Sequence, residues 1–233
     1  MSTPGVSMIT CTNQPRFFNN LLRNYRRQRY KHKELIVILN KDGVSLRDWR
    51  RKAARYANVR VYQVPERISL GQCLNCGISV ARYPLLAKFD HDDYYAPYYL
   101  QEQVKALRRT GSAVVGKHAC LVYLAASRKL IIRSPQERSR RVGFVQGGTI
   151  LFRRKVLRQA RFPDLSLGED VKFLRDCTRK GLVIHATTPY NYVYVRRKNK
   201  RTHTWRVGDH RFLPGSIPVA VTGNFRRYAG RKP

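Results

Sequence analysis

Acidic residues are scarce in this chain of 233 residues. It has 14 Asp and Glu against 47 Lys and Arg, so its formal net charge is +33 and its pI is near 10.9. A surface with this charge attracts polyanions such as nucleic acid, anionic lipid or an acidic cell-wall polymer. An arginine-rich composition inherited from a GC-rich genome, spread over a solvated face, is the alternative explanation.

Long apolar runs and cysteines are also few. No run approaches the roughly 18 apolar residues that a membrane-spanning helix needs, and the first five residues, MSTPG, lack the pattern of a signal peptide. The five cysteines are an odd number and do not have the density of a disulfide scaffold. We therefore expect reduced thiols and a cytoplasmic location, with peripheral association at the inner face of an anionic membrane as a further expectation.

The remaining composition is that of a folded protein, with 42% hydrophobic and 11% aromatic residues. Short β-branched runs alternate with helical patterns through the first half. Strands are predicted over 6–12, 34–39, 59–64 and 85–89, and helices over 18–25, 71–82 and from Pro97 onward. This alternation predicts an α/β fold with a mostly parallel central sheet flanked by helices, in which ligands bind beyond the carboxyl ends of the strands.

The second half alternates less regularly. Short strands are predicted over 113–115, 120–124, 130–133, 149–152 and 190–196, with one helix starting at Gly168-Glu169-Asp170 and ending near Gly181. Strands this short, separated by turn residues, favour a smaller mixed or antiparallel portion. After Trp205 the Gly, Pro and Arg content predicts a loosely held basic tail over 206–233.

Three of the 14 acids lie within four positions, Asp90-His91-Asp92-Asp93, directly after a predicted strand. Like charges at this spacing repel one another unless a cation lies among them. Carboxylate oxygens suit Mg²⁺ or Mn²⁺, which usually bridge to the phosphates of a substrate. A polar turn capped by Asp is the simpler interpretation. The strongly positive chain and the position at a strand end favour the metal and phosphate site.

The other candidate motifs are weaker by themselves. Glu169 and Asp170 open a helix, where the macrodipole favours acids in any protein. His203 follows a basic stretch and is either a metal or phosphate contact or a loop histidine. Cys73 and Cys76 have zinc-site spacing, but no second pair accompanies them, so we assign them to the core.

Taken in order, these segments resemble the inverting glycosyltransferase family 2, which has the GT-A fold. The resemblance covers roughly residues 6–205. It is carried by VSMITCTN at 6–13, ELIVI at 34–38, LGQ at 70–72, NCGI at 75–78, FDHDDYYAP at 89–97, GGT at 147–149, GED at 168–170 and HTW at 203–205. It implies a compact bacterial-type member with one GT-A domain over 1–205. A Rossmann-like nucleotide-sugar half would span 6–107 and an acceptor half 108–205, with the basic tail at 206–233.

The resemblance also implies roles for individual residues. Asp170 matches the general base that takes the proton from the acceptor hydroxyl. Asp90 and Asp92 match the D-x-D acids that contact the ribose and hold Mn²⁺ or Mg²⁺, and His203 would complete that metal site. Contacts to the nucleotide-sugar are implied at Thr12, Asn13, Asn40, Asp42, Gln72, Asn75 and Asp90. Contacts to the acceptor or the diphosphate are implied at Glu169, Gly148 and Trp205.

One position departs from the family pattern. The family commonly ends its second strand in an Asp-Asp pair that contacts the nucleotide base, whereas this chain has Asn40 there. Asparagine presents donors as well as an acceptor to a base edge. A UDP-sugar is the default donor, and this substitution leaves the identity of the base open.

The leading hypothesis is thus a metal-dependent inverting glycosyltransferase that moves a sugar from a nucleotide-diphosphate sugar to a hydroxyl acceptor. The positive charge suits an anionic glycan or a lipid-linked sugar as acceptor. A non-catalytic polyanion- or nucleic-acid-binding protein is the alternative, because basic residues alternate with aromatics over 23–29 and 190–201. A glycosyltransferase-like fold that only binds its ligands is a third hypothesis.

Overall fold

A computed structural model describes residues 3–233, without the side chain of Arg201. In this part of the chain the strands are β1 (Val6–Thr12), β2 (Lys33–Asn40), β3 (Val59–Val64), β4 (Leu85–Lys88), β5 (Tyr94–Tyr95), β6 (Val114–Gly116), β7 (Cys120–Leu124), β8 (Lys129–Arg133), β9 (Leu151–Arg153), β10 (Ile184–Ala186), β11 (Tyr192–Arg196) and β12 (Ile217–Val221). The helices are α1 (Phe18–Arg27), α2 (Leu46–Ala53), α3 (Leu70–Ser79), α4 (Tyr99–Thr110), α5 (Glu169–Arg179) and α6 (Arg226–Ala229).

Seven strands form the central sheet in the order β10-β6-β9-β4-β1-β2-β3. β1 is parallel to β2 and to β4, β2 is parallel to β3, and β10 is parallel to β6. Only β9 runs antiparallel, between β4 and β6. The carboxyl ends of β1, β2 and β4 therefore lie at the same edge of the sheet. The predicted α/β class, with a mostly parallel sheet flanked by helices, is confirmed.

The two faces of the sheet bury two separate apolar clusters. Met8 and Leu35 contribute to one cluster, whereas their chain neighbours Ile9 and Ile36 contribute to the other. This follows from the period of two in a strand, which points successive side chains to opposite faces. Burying each aliphatic side chain of this size contributes about 1.5–3 kcal/mol. Because both faces are covered, the strands are continuous apolar runs, as expected for buried parallel strands.

A second, mixed sheet has the order β12-β8-β7-β11-β5. β7 and β8 form an antiparallel hairpin, and β11 is parallel to β7 and antiparallel to β5. This sheet is the smaller mixed portion that the second half of the sequence predicts. β5, which directly follows the acidic tetrapeptide, ties residues 90–93 to this sheet.

The prediction of a loosely held tail over 206–233 is wrong. β12 pairs antiparallel with β8, from Ile217 opposite Ile132 to Val221 opposite Lys129. In the last helix Ala229 is fully buried, and its carbonyl accepts the backbone N–H of Asn191 at 2.7 Å. The high Gly, Pro and Arg content hid a strand whose stability comes from its partner strand rather than from its own sequence. The division into halves at residue 107 remains a prediction.

None of the described helices has the length and apolar content needed to cross a membrane.

Candidate functional site

A cleft with a cavity volume of about 580 Å³ lies at the carboxyl ends of the central strands. Five segments of the chain converge on it. They are the ends of β1 and β4, the turn at 146–148, the start of α5 and residues 202–205. Strand ends converge here because β1 and β4 are parallel neighbours.

Asp90 follows β4 and shares the site with a buried lysine. The ammonium of Lys88 lies 2.6 Å from Asp90 Oδ1 and 3.7 Å from Glu169 Oε1, and only 6% of the lysine side chain is exposed. Burial by itself would lower the pKa of Lys88, but the carboxylates of Asp90, Glu169 and Asp170 raise it well above its ordinary value. Lys88 is therefore a permanent positive charge between the acids of the two halves.

Two glycines lie between Asp90 and Asp170. A Cβ atom on Gly147 would fall 2.0 Å from Asp170 Oδ2, and one on Gly148 would fall 2.7 Å from Asp90 Oδ2. Real Cβ atoms do not tolerate such distances, so glycine is required at both positions for the acids to approach the turn. The tertiary structure thus brings Asp90 and Asp170, which are 80 positions apart, to adjacent residues of one turn.

Asp92 is paired with an arginine that the sequence motifs did not single out. Arg197 Nη1 donates to Asp92 Oδ2 at 2.5 Å. Burial by itself would raise the pKa of Asp92, but His91 and Arg197 lower it below its ordinary value. Arg197 Nη2 also donates to the carbonyl of Thr202 at 2.7 Å. Arg197 therefore connects Asp92 to the segment that carries His203.

His203 is held by Arg197 on both sides of its ring. The backbone N–H of Arg197 donates to His203 Nε2 at 3.0 Å, and Arg197 Nη2 lies 3.2 Å from His203 Nδ1. Burial, with Arg197 and Arg196 adding to it, lowers the pKa of His203 to about 4. The ring accepts the backbone N–H at Nε2, and its Nδ1 lies 3.7 Å from Asp92 Oδ2. To act as the expected metal ligand, His203 would have to lose one of these contacts with Arg197.

The acids of the cleft still fit a divalent ion held by two carboxylates. Protein hydrogen bonds use Oδ1 of Asp90 and Oδ2 of Asp92, and among the described residues the other oxygen of each has no hydrogen-bond partner. Nor do the described residues place three or more His, Cys, Asp or Glu together as a metal site. One or two carboxylates, completed by water and substrate phosphates, are the usual Mg²⁺ ligand set. The donor set therefore fits a metal that a nucleotide completes.

The acids at the start of α5 have different environments. Glu169 is 4% exposed, whereas Asp170 is partly exposed and accepts the N–H of Val171 at 2.8 Å. Burial raises the pKa of Glu169 to about 7; Lys88 opposes the shift, and Asp170 and Asp90 add to it. Asp170 faces the cleft beside a glutamate that takes up a proton near neutral pH.

Replacing Glu169 by glutamine is expected to stabilise the metal-free protein at pH 8 but not at pH 4.5. The folded state keeps its proton up to about pH 7, whereas the unfolded state loses it near 4.5. The wild type therefore loses stability as the pH rises through this window, by up to about 3 kcal/mol. Urea unfolding in EDTA at both pH values measures this difference, with Glu66→Gln as an exposed control. A difference between Glu169→Gln and wild type that does not grow with pH would contradict the assignment.

The structure places most of the expected site residues on the cleft. Those that line it are Thr12, Asn13, Asn40, Asp90, Asp92, Gly148, Glu169, Asp170, His203 and Trp205. The Asn40 amide donates to the carbonyl of Pro65 at 2.7 Å, which leaves its own carbonyl oxygen as an acceptor.

Three expected nucleotide contacts do not line the cleft. Asp42 accepts the backbone N–H of Glu66 at 3.3 Å. Gln72 Nε2 donates to Asp164 Oδ2 at 2.7 Å, and Asn75 Nδ2 donates to the carbonyl of Phe162 at 2.8 Å. Gln72 and Asn75 bond to residues 162–164, whereas Leu70 and Leu74 of the same helix line the cleft. Their polar groups are used to join the two halves of the chain.

Sequence reasoning missed Lys88, Arg197 and Tyr95. The Tyr95 hydroxyl accepts the N–H of Asp90 and donates to the carbonyl of Gly148, both at 2.7 Å, so it joins the acidic segment to the glycine turn. Lys88 left a signal, because a lysine in an apolar strand needs a buried partner. Arg197 left none, since it lies in a run of basic residues.

Comparison with known proteins identifies the family of the chain. The family model for glycosyl transferase family 2 matches residues 8–160, about two thirds of the chain. The chain belongs to glycosyltransferase family 2. No curated protein matches its sequence. The match includes Asp90 and Asp92 and ends before Asp170 and His203.

Solved glycosyltransferases share the fold of this family 2 chain. S. aureus TarS, residues 1–349, is 18% identical with a TM-score of 0.66 over 82% of this chain and 60% of its own. TarS in complex with UDP-GlcNAc is 19% identical with a TM-score of 0.67, over 84% of this chain and 59% of its own. The mannosyltransferase PcManGT from Pyrobaculum calidifontis, in complex with GDP-Man and Mn²⁺, is 21% identical with a TM-score of 0.62. The match covers 86% of this chain and 59% of that structure. The expected GT-A fold is confirmed, and the chain spans about 60% of the length of these structures.

Proposed function

We propose that this family 2 chain is an inverting, metal-dependent glycosyltransferase that moves a sugar from a nucleotide-diphosphate sugar to a hydroxyl acceptor. The observation that carries the proposal is the approach of Asp90 and Asp170 to the adjacent glycines of one turn. The acid that binds the nucleotide-sugar donor and the general base must lie on either side of one anomeric carbon. The solved structures with UDP-GlcNAc and with GDP-Man and Mn²⁺ support a nucleotide-sugar donor.

Asp170 is the proposed base. Its carboxylate takes the proton from the acceptor hydroxyl as the oxygen attacks the anomeric carbon. The bond from that carbon to the diphosphate oxygen breaks as the new bond forms, so the configuration at the carbon inverts. The nucleoside diphosphate leaves with the bonding electron pair, and the proton stays on Asp170 until water removes it. Glu169 lies beside this base, and the ammonium of Lys88 interacts electrostatically with both acids.

Asp90 and Asp92 are the proposed metal ligands, each through the carboxylate oxygen that has no hydrogen-bond partner among the described residues. When bound, Mg²⁺ or Mn²⁺ supplies positive charge that stabilises the leaving diphosphate. Arg197 would contribute a second positive charge at this end of the cleft. We do not propose His203 as a ligand, because its ring orients Arg197.

Thr12, Asn13 and Asn40 form the proposed nucleoside end of the cleft. One N–H of the Asn40 amide is bonded to Pro65, so its second N–H and its carbonyl oxygen can still bond to a base edge. Every base edge carries donors and acceptors, so Asn40 by itself does not select the base. The solved structures with UDP-GlcNAc and with GDP-Man support UDP or GDP as the nucleotide.

The basic surface supports an anionic acceptor or an anionic membrane near the acceptor. It supports base stacking less well, because arginines already cover the ring of Tyr190, which is partly exposed, and that of Tyr94, which is buried. Arg27 lies 4.5 Å from the ring centre of Tyr94, and Arg231 lies 4.7 Å from that of Tyr190. Single-stranded nucleic acid gains its affinity from free aromatic faces. The non-catalytic nucleic-acid-binding protein is therefore the weaker hypothesis.

A thermal-shift screen of nucleoside diphosphates with and without Mn²⁺ tests the proposal. A ligand at 100 times its Kd stabilises the folded state by about 2.7 kcal/mol. We expect a metal-dependent rise in Tm with UDP or GDP and a smaller one with ADP or CDP. Transfer or hydrolysis of the matching nucleotide-sugar should need the same metal. A shift with RNA at physiological salt, and none with any nucleotide, would refute the transferase. Nucleotide binding without turnover would indicate a fold that only binds.

A further inference from the structure

Three exposed apolar side chains line the cleft, and we call them the rim. Leu167, Val171 and Trp205 all line the cleft and are 62%, 40% and 38% exposed. Leu167 and Val171 lie on either side of the proposed base, Asp170, in the sequence. Scattered exposed apolar residues need no explanation, but a group beside a reactive site marks a surface that binds something apolar.

The loop that carries Leu167 is held in place by its polar groups. These groups bond to the N-terminal turn of α3, and the two segments are so close that a Cβ on Gly71 would fall 1.7 Å from the carbonyl oxygen of Pro163. The bonds run from Leu70 N to Ser166 Oγ at 3.3 Å, from Gly71 N to Leu165 O at 3.0 Å, and from Gln72 Nε2 to Asp164 Oδ2 at 2.7 Å. The loop thus uses its polar atoms internally and presents a leucine to the cleft.

Trp205 is the third residue of the rim and is also fixed. Its backbone carbonyl accepts from Arg196 at 3.0 Å, and its ring packs against Phe212 at 5.6 Å between centroids. The guanidinium of Arg133, which also lines the cleft, lies 6.0 Å from the ring centre of Trp205. The rim therefore combines apolar contacts with one positive charge.

We infer that the acceptor is amphipathic, with an apolar chain attached near the hydroxyl that is glycosylated, as in a sugar linked to a lipid through phosphate. This inference rests on the proposed function and names its acceptor class. Leu167 and Val171 bind the chain, the Trp205 ring contacts the junction between chain and sugar, and Arg133 faces the phosphate. A fully polar polymer would leave three apolar side chains uncovered beside the base, whereas an apolar chain removes them from water.

The test uses intrinsic fluorescence with two commercial probes, octyl and methyl β-D-glucoside. The chain has two tryptophans, Trp49 buried at 5% exposure and Trp205 at the rim, so a ligand on the rim changes the emission of Trp205. We expect a saturable blue shift with octyl glucoside below its micellar concentration. Methyl glucoside should bind at least about tenfold more weakly, because each buried CH₂ contributes about 0.8 kcal/mol. Trp205→Phe should abolish the signal.

Leu167→Ser is the diagnostic variant and Leu213→Ser its matched control. Leu213 is 45% exposed and does not line the cleft. We expect Leu167→Ser to weaken octyl glucoside binding several-fold without changing methyl glucoside binding, and Leu213→Ser to change neither. Equal binding of the two glucosides, or an equal effect of both substitutions, would overturn the inference.

The thermal shift with nucleotide and Mn²⁺, measured on the wild type and on Leu167→Ser, separates this inference from the proposed function. A nucleotide shift in a wild type that shows no preference for the octyl chain refutes only the amphipathic acceptor. Octyl glucoside binding with no nucleotide shift in the wild type refutes the transferase, and with it the assignment of the bound chain as part of an acceptor. With both retained, kcat/KM for transfer to octyl glycosides should exceed that for methyl glycosides of the same sugar.

Discussion

Asp170→Asn is expected to lower the rate of glycosyl transfer by about 10²- to 10⁴-fold while nucleotide binding stays unchanged. Asparagine keeps the shape of the side chain and can still accept the N–H of Val171, but it cannot take the proton from the acceptor hydroxyl. The loss should fall on kcat rather than on the KM for the donor, since Asp170 acts on the acceptor. Steady-state kinetics with the nucleotide-sugar found by thermal shift measure both constants.

Asp176→Asn is the matched control for this substitution. Asp176 lies on the same helix, α5, where it pairs with Lys172 at 2.6 Å on the outer surface. Its replacement should leave kcat within about twofold, because a surface ion pair contributes no more than about 1 kcal/mol and does not contact the cleft. Similar rates for Asp170→Asn and Asp176→Asn would remove Asp170 from the mechanism and point to Glu169 as the base.

Asp92→Asn is expected to abolish the metal-dependent part of nucleotide binding and to lower transfer by about 10²-fold or more. Charge stabilisation by a metal contributes several kcal/mol, and each 1.36 kcal/mol corresponds to a factor of ten in rate. Asparagine can still accept from Arg197, so the segment around His203 should keep its place. The measurement is the Mn²⁺ concentration that gives half of the thermal shift with UDP or GDP.

Asp42→Asn is the control for Asp92→Asn, because the family resemblance and the structure disagree about whether Asp42 contacts the nucleotide. The family resemblance assigns Asp42 to the nucleotide, whereas the structure places it against the backbone of Glu66 and away from the cleft. We expect Asp42→Asn to leave both Mn²⁺ dependence and turnover unchanged. An unchanged Mn²⁺ dependence in Asp92→Asn would contradict a metal at the D-x-D acids. It would indicate that Mn²⁺ binds through groups other than Asp92.

The buried strands were predictable because their signal is local. The apolar runs of β1 and β2 follow from the period of side chains in a strand that is covered on both faces. Short elements with weaker patterns were missed. β10 has only three residues, and β12 contains a proline and residues that are half exposed, so its identity depends on pairing with β8. Such pairing is a long-range property that no window of the sequence contains.

The candidate site divides in the same way. Asp90, Asp92 and Asp170 could be found from sequence because acids are rare in this chain and each motif lies at the end of a strand or the start of a helix. The position of Gln72 outside the cleft could not be predicted, since the sequence motif around it does not show that its amide donates to Asp164. Arg197 was hidden among other basic residues, and only its contact with Asp92 distinguishes it.

By itself, the sequence determined the α/β class, the mostly parallel central sheet, the acids that carry the proposed chemistry and the positive net charge. These depend on composition and on patterns within a few residues. Only the tertiary structure decided which acid faces which cation, that Asp90 and Asp170 share one glycine turn, and that apolar side chains border the cleft. Apart from the pair of Lys88 and Asp90, the acid–cation contacts of the site and the approach of Asp90 and Asp170 to one turn join segments that are far apart in sequence. Such pairs are selected by packing and charge balance that exist only once the chain has folded.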